Sequence, residues 1–211
     1  MIITRPEYDP STRYLSAWSK SLIDTAEKKG LEVIDLHKEK AAKNEFEGRV
    51  KKKNPSLVVL NGHGTQACVT GHNNEVLVEA GKNSYLLAEK VTYAVSCSSA
   101  AVLGEEVAIT ANTAYIGYRD DFVFPFSQQY VSKPLSDKRA GRCLEVSNQV
   151  VLSLLKGNSC SESVGRSKQL AQKHISSLLT SNAGPEAAFD ARILWWNLQQ
   201  QVCLGDGSKT I

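Results

Sequence analysis

The chain has 211 residues, of which 42% are hydrophobic, and this length can bury one sizeable core. We therefore expect a single domain over residues 1–211. Lys and Arg number 25 against 22 Asp and Glu, and a net charge of +3 is too small to indicate nucleic acid as the main partner. No apolar run approaches the roughly 18 residues of a membrane-spanning helix, so no membrane partner is expected.

The cysteines do not form the pattern of a disulfide framework, because their number is odd and they are scattered. They are Cys68, Cys97, Cys143, Cys160 and Cys203. Residues 1–6 have neither the charged lead nor the apolar stretch of a signal peptide. The predicted location is the cytoplasm, where reducing conditions keep a thiol free.

The predicted elements alternate between strands and helices. Short β-branched or apolar runs predict strands at residues 2–4, 31–36, 56–61, 91–96 and 114–118. Three- and four-residue apolar spacing predicts helices at residues 12–29, 41–52, 100–108, 137–155 and 161–179. A small hairpin is expected around residues 72–78, and a short helix capped by Ser84 at 84–90, while residues 193–206 fit either helix or strand. This order predicts an α/β three-layer sandwich with about six strands, mainly parallel.

Two residues with reactive side chains follow buried strands of this predicted sheet. His63 comes after the strand at 56–61, and Cys97 ends the strand at 91–96, so 97 − 63 = 34 residues separate them. That separation allows one crossover between neighbouring parallel strands, whose carboxyl ends meet at one edge of the sheet. A Cys–His pair needs this proximity, because the imidazole must reach the thiol or the scissile group to transfer a proton.

Small residues surround both positions. Gly62 and Gly64 allow the backbone near His63 to approach a substrate closely, and Ser and Ala residues keep the surroundings of Cys97 uncrowded. The backbone N–H groups of Gly64 and Cys97 are the expected oxyanion donors. A helix starting just after Cys97 would favour its thiolate through the helix dipole.

The sequence resembles a known peptidase group in several blocks. Residues 58–64 (VVLNGHG) resemble the apolar-strand–His–Gly block of clan CD cysteine peptidases, and residues 93–97 (YAVSC) resemble the clan's Cys block. Residues 114–121 (AYIGYRDD) and 204–206 (LGD) resemble later elements of such domains. The caspase signature Gln-Ala-Cys-x-Gly is absent, which favours similarity to the CHAT and gingipain-like members over the caspases.

This resemblance implies a caspase-like fold and a cysteine endopeptidase with His63 as general acid/base and Cys97 as nucleophile. It implies a thioester acyl-enzyme, a polypeptide substrate, and no metal or organic cofactor. CHAT-type peptidases are often coupled to bacterial defence. A protease free in the cytoplasm would be harmful, so a regulatory protein partner or an inhibited resting state is also expected.

Specificity is expected to depend on Asp120 and Asp121, which follow the strand at 114–118. A carboxylate at the sheet edge beside Cys97 would bind a Lys or Arg before the cut site. Asp121 is favoured on the expectation that Arg119 interacts with its surroundings and holds Asp120 aside. The alternative interpretation is a helix cap or a turn carboxylate.

Other interpretations remain open from the sequence alone. His63, Cys68 and His72 are a local set for zinc, but three ligands are fewer than the four of structural sites. One alternative function is an interaction module, which keeps the fold without catalytic activity and binds a partner. Another is a thiol redox sensor, which would need Cys68 as its resolving cysteine. Cys68 and His72 are expected in a loop at the rim of the site. Trp195 and Trp196 allow two interpretations. One of them is a buried anchor and the other an exposed contact residue, or the two are simply core and edge residues of the fold.

Overall fold

A computed structural model describes residues 1–180 and 184–211 and contains a six-stranded central sheet. In chain order the strands are β1 (Ile2–Arg5), β2 (Ile34–His37), β3 (Leu57–Asn61), β4 (Cys68–Thr70), β5 (Val76–Glu79), β6 (Val91–Val95), β7 (Ala114–Tyr118) and β8 (Gln201–Gly205). The central sheet has the order β2-β1-β3-β6-β7-β8, and only β8 runs antiparallel to its neighbour. Strands β4 and β5 form a separate antiparallel hairpin.

Helices cover both faces of this sheet. They are α1 (Pro10–Lys28), α2 (Lys43–Lys53), α3 (Leu103–Ala108), α4 (Lys138–Leu154), α5 (Cys160–Leu178) and α6 (Ala187–Gln200). Helices α1, α4 and α5 pack on one face, and α6 packs on α4 and α5. Helices α2 and α3 and the β4–β5 hairpin pack on the other. No helix in the described part of the chain is long and apolar enough to cross a membrane.

The unbroken apolar run of β3 follows from this three-layer arrangement. Successive side chains of a strand point to opposite faces, and both faces here are covered. Leu57 and Val59 join the core beneath α1 and α4, whereas Val58 and Leu60 join the core beneath α2 and α3. The predicted three-layer sandwich with a mostly parallel sheet is confirmed.

Several local predictions need correction. Ser84 does not cap a helix: it is the first residue of a 3₁₀ turn, Ser84–Leu87, that lacks a side-chain cap. Helix α3 begins at Leu103 rather than at residue 100, after a series of turns. The tail is both helix and strand, because α6 ends at Gln200 and β8 begins at the next residue.

Asp137 is a buried carboxylate that joins several elements. It is 1% exposed and caps α4 by accepting from the N–H groups of Arg139 and Ala140, at 3.1 and 3.3 Å. It also accepts from the Tyr14 hydroxyl at 2.8 Å and from the Ser127 N–H at 2.9 Å. This carboxylate therefore fixes α1, α4 and the loop before α4 relative to one another.

We expect Asp137→Ala to lower the free energy of unfolding by about 2–4 kcal/mol, since it removes a helix cap and leaves buried donors without an acceptor. Urea denaturation would measure the change. Ser159→Ala, which removes the partly exposed cap of α5, is the matched control and should cost only about 1 kcal/mol. Equal losses in the two variants would contradict the bridging role of Asp137.

Candidate active site

Polar side chains follow the carboxyl ends of four neighbouring parallel strands and lie at one edge of the sheet. Asp9 follows β1, His63 follows β3, Cys97 follows β6, and Asp120 and Asp121 follow β7. The strands lie in the order β1-β3-β6-β7, so these residues come from adjacent strand ends. The carboxyl edge of an open parallel sheet is where such folds bind ligands.

His63 is held by a carboxylate that the sequence analysis did not identify as part of the site. Its Nε2 lies 2.7 Å from Asp9 Oδ2, which orients the imidazole and favours the tautomer protonated at Nε2. Nδ1 has no hydrogen-bond partner among the described residues. This leaves Nδ1 as the ring nitrogen that can accept or deliver a proton.

Asp9 has its orientation fixed by a local helix cap. It is the N-cap of α1, and its Oδ1 accepts from the Thr12 N–H at 2.8 Å, while Oδ2 is directed to His63. Partial burial raises the pKa of Asp9, but the bonds from Thr12 and His63 outweigh it and hold the pKa below its usual value. In the sequence, Asp9 begins the run Asp9-Pro10-Ser11-Thr12, which is a typical helix start. This pattern predicts the helix cap but not the contact with His63.

The glycines on either side of His63 permit close backbone packing. A Cβ on Gly64 would lie 2.8 Å from the Cys97 carbonyl oxygen, and one on Gly62 would collide with the Thr70 carbonyl oxygen of β4. The N–H groups of Gly64 and Cys97 have no acceptor among the described residues. The predicted oxyanion donors are thus unpaired N–H groups in chain segments that touch each other.

Cys97 and His63 line the same cavity, which has a volume of about 180 Å³. Gly62, Ser96 and Phe122 contribute to its walls. The Cys97 Sγ is half-buried and lies 3.9 Å from the Phe122 carbonyl oxygen, to which the thiol can donate. The resting thiol therefore makes no direct hydrogen bond to the imidazole, although the two groups share the cavity.

The environment of Cys97 keeps the thiol protonated. Burial raises its pKa, and the charges of Asp121 and, to a smaller extent, Asp120 raise it further, against the lowering effect of the Phe122 carbonyl contact. The expected helix dipole is not available, because α3 begins six residues later, at Leu103. Ser98, directly after Cys97, instead has a φ of +56°, a strained conformation for a non-glycine residue.

Backbone hydrogen bonds attach the Cys97 loop to the end of β7. The Ser98 N–H donates to the Asp120 carbonyl oxygen and the Ala100 N–H to the Tyr118 carbonyl oxygen, both at 3.0 Å. The Ser98 hydroxyl also lies 3.4 Å from Asp121 Oδ1. These contacts bring the Asp120–Asp121 turn next to the thiol.

Asp120 and Asp121 are both exposed to solvent. Neither lines the 180 Å³ cavity. Arg119 does not hold Asp120 aside, since it pairs with Glu105 at 2.6 Å. Asp120 Oδ1 accepts from the Asp121 N–H at 2.8 Å, and the charge of Asp121 raises the pKa of Cys97 more than the charge of Asp120 does.

Of the competing cysteine and histidine, only Cys68 departs from the expected loop position. Cys68 is buried in β4, where its Sγ contacts the Thr65 hydroxyl at 3.3 Å, and it does not line the cavity of Cys97. His72 lies in a 3₁₀ turn and packs against Tyr8, whose ring also contacts His63. All five cysteines are free, and the described residues contain no cluster of His, Cys, Asp and Glu placed to hold a metal ion.

The chain matches no protein-family model, and a search of curated proteins gives no significant match.

Proposed function

We propose that the chain is a cysteine endopeptidase that uses Cys97 as nucleophile and His63 as general acid/base. The main support is the single cavity lined by both side chains, with His63 oriented by the 2.7 Å contact to Asp9. This arrangement of nucleophile, base and orienting group is the general pattern of nucleophilic catalysis. The resemblance to clan CD peptidases implies the same two residues.

The chemistry proceeds through a thioester. The Cys97 thiol gives its proton to His63 Nδ1 as the sulfur attacks the scissile carbonyl carbon. Nδ1 then protonates the leaving amine as the C–N bond breaks, which is its main contribution. Water hydrolyses the thioester, giving a proton back through His63 and restoring the thiol. The N–H groups of Gly64 and Cys97 stabilise the tetrahedral oxyanion, and no metal or organic cofactor takes part.

The segment after β7 is suited to align a polypeptide beside the cavity. Val123 is held on one side by Asn197, which accepts from its N–H at 3.0 Å and donates to its carbonyl oxygen at 2.6 Å. Phe122 and Phe124 line the cavity, and the Phe124 N–H and C=O have no partner among the described residues. These free backbone groups are available to an extended substrate.

The raised pKa of Cys97 describes a resting state with little thiolate. Such a state fits a cytoplasmic peptidase that acts only when substrate or a regulatory protein partner arrives. The resemblance to CHAT domains is the ground for placing the enzyme in a bacterial defence system.

Asp121 is the proposed determinant of cleavage after Lys or Arg. Its carboxylate is exposed and lies 3.4 Å from the hydroxyl of Ser98, the residue after Cys97, so a basic substrate side chain can pair with it. The same pairing would neutralise a charge that raises the pKa of Cys97. Binding of a basic residue would then favour the thiolate as well as position the peptide.

A panel of fluorogenic peptides with Lys, Arg, Asp or Leu before the cut site tests this function and its specificity. The wild type should prefer Lys and Arg, and Asp121→Asn should lower kcat/KM for them about tenfold. The same variant should react faster with iodoacetamide at pH 7, because the pKa of Cys97 falls. Asp120→Asn is the matched control, with smaller changes in both. A preference for Leu or Asp in wild type, or an unchanged preference in both variants, contradicts the assignment.

Asp9→Asn separates the two roles of Asp9. Asn is as good an N-cap as Asp, so the free energy of unfolding should change by less than about 0.5 kcal/mol. The neutral amide does not stabilise the imidazolium, so kcat should fall roughly tenfold to 10²-fold with little change in KM. Asp9→Ser caps the helix but is too short to reach His63, and it should behave similarly. If both variants keep full activity, Asp9 serves only as a cap.

A further inference from the structure

An apolar groove lies between the end of α5 and the outer side of α6. Its volume is about 720 Å³, within the range of about 300–1,000 Å³ typical of ligand pockets. Large apolar side chains line it, and several are well exposed: Leu179 at 66%, Phe189 and Trp195 at 54% each, and Trp196 at 39%. Arg192 is the one charged residue in the lining. Both tryptophans are exposed, so neither is a buried anchor and neither is a core residue.

The groove and the cavity of Cys97 share one lining residue. Val123 lines both, and Asn197 of α6 fixes its backbone. Trp196 connects the groove to the proposed specificity residue, since its Nε1–H donates to the Asp121 carbonyl oxygen at 2.8 Å. A polypeptide with a basic side chain at Asp121 therefore lies beside the groove.

We propose that this groove binds a bulky apolar side chain of the polypeptide substrate, at a position near the cut site. The proposal rests on the proposed peptidase function and narrows its substrate class to segments that combine a Lys or Arg with a nearby aromatic or large aliphatic residue. Exposed aromatic residues that gather in one concave surface are typical of binding anchors rather than of an ordinary surface. The shared wall at Val123 favours the substrate itself as the occupant over a separate ligand.

The test uses short Gly-Ser peptides with a central Arg and a single Phe scanned through the other positions. Binding is measured by fluorescence anisotropy on Cys97→Ala, which retains the groove but does not turn over. Phe at one or two positions should tighten binding at least about tenfold over Ser, and Trp195→Ala in that background should remove most of this gain. Phe189→Ala should act in the same direction, which guards against misfolding of a single variant.

The matched control is Ile109→Ala, because Ile109 is 85% exposed and does not line the groove. It should leave the gain from Phe unchanged. In the active enzyme, Trp195→Ala should raise KM for the Phe-bearing peptide with little change in kcat. If no peptide is hydrolysed but the Trp195-dependent gain persists, the groove proposal stands and the peptidase assignment fails.

Two results would overturn the groove proposal. One is Phe and Ser peptides binding equally at every position. The other is a dimer in light scattering that Trp195→Ala converts to a monomer, because the groove would then bind a second copy of the chain. A Trp195-dependent gain from Phe together with a monomeric wild type supports the proposal.

Discussion

Cys97→Ala should abolish peptide cleavage, with kcat falling by about 10⁴-fold or more. The acyl-enzyme needs a sulfur to attack the carbonyl carbon, and alanine offers no nucleophile. Folding should be nearly unchanged, because the half-buried thiol makes only a 3.9 Å contact to the Phe122 carbonyl oxygen. Initial rates on Lys and Arg peptides and a thermal melt of each variant would measure both effects.

Cys68→Ala is the control for this prediction. Cys68 is buried in β4 outside the cavity, so its loss should leave cleavage largely intact. Retained activity in Cys97→Ala, with loss in Cys68→Ala, would assign the nucleophile to Cys68. A peptide-based electrophile gives a second readout, because mass spectrometry should find the label on Cys97 of the wild type.

The same labelling experiment separates the two rival functions. A Cys97 that stays inert to the electrophile at every pH would favour an inactive fold that binds a partner. A redox sensor would instead form a Cys97–Cys68 disulfide under mild oxidant. The structure gives this second rival little support, because Cys68 does not line the cavity that holds Cys97.

The sequence predicted the sheet and the shared edge because both depend on short-range patterns. The apolar runs of β3 and β6 indicate strands buried on both faces, and His63 and Cys97 follow directly after them. Parallel strands joined by helices leave few topologies, so the two residues had to emerge at one edge. The residues 114–118 predicted as a strand are those of β7.

The contacts that tune the site were not predictable in the same way. The Asp9–His63 contact joins residues 54 positions apart, and the local pattern of Asp9 already has a full explanation as a helix cap. Arg119 pairs with Glu105 of α3, 14 positions earlier in the chain, and no local sequence pattern singles out that partner. The apolar residues of the tail, residues 193–206, fit both a helical and a strand period. Only the packing of α6 on α5 and the pairing of β8 with β7 decide which part is helix and which is strand.

His63→Ala should lower kcat/KM by at least about 10²-fold, the usual contribution of a general acid–base group. The loss should be large because the pKa of Cys97 is raised, so the thiol depends on a base to give up its proton. The departing amine also needs a proton, and within the described residues no other imidazole lines the cavity. Single-turnover kinetics on the Lys and Arg peptides would place the loss in acylation.

His72→Ala is the matched histidine control. His72 packs against the same Tyr8 ring as His63, at a centroid distance of 5.5 Å compared with 6.1 Å, but it does not line the cavity. Its replacement should disturb Tyr8 and produce a much smaller loss. Combining His63→Ala with Asp9→Asn should add almost nothing to His63→Ala alone, since Asp9 acts on the reaction through the imidazole. Equal losses in the two histidine variants would mean that His72 belongs to the catalytic site and that His63 and Cys97 do not act as a simple pair.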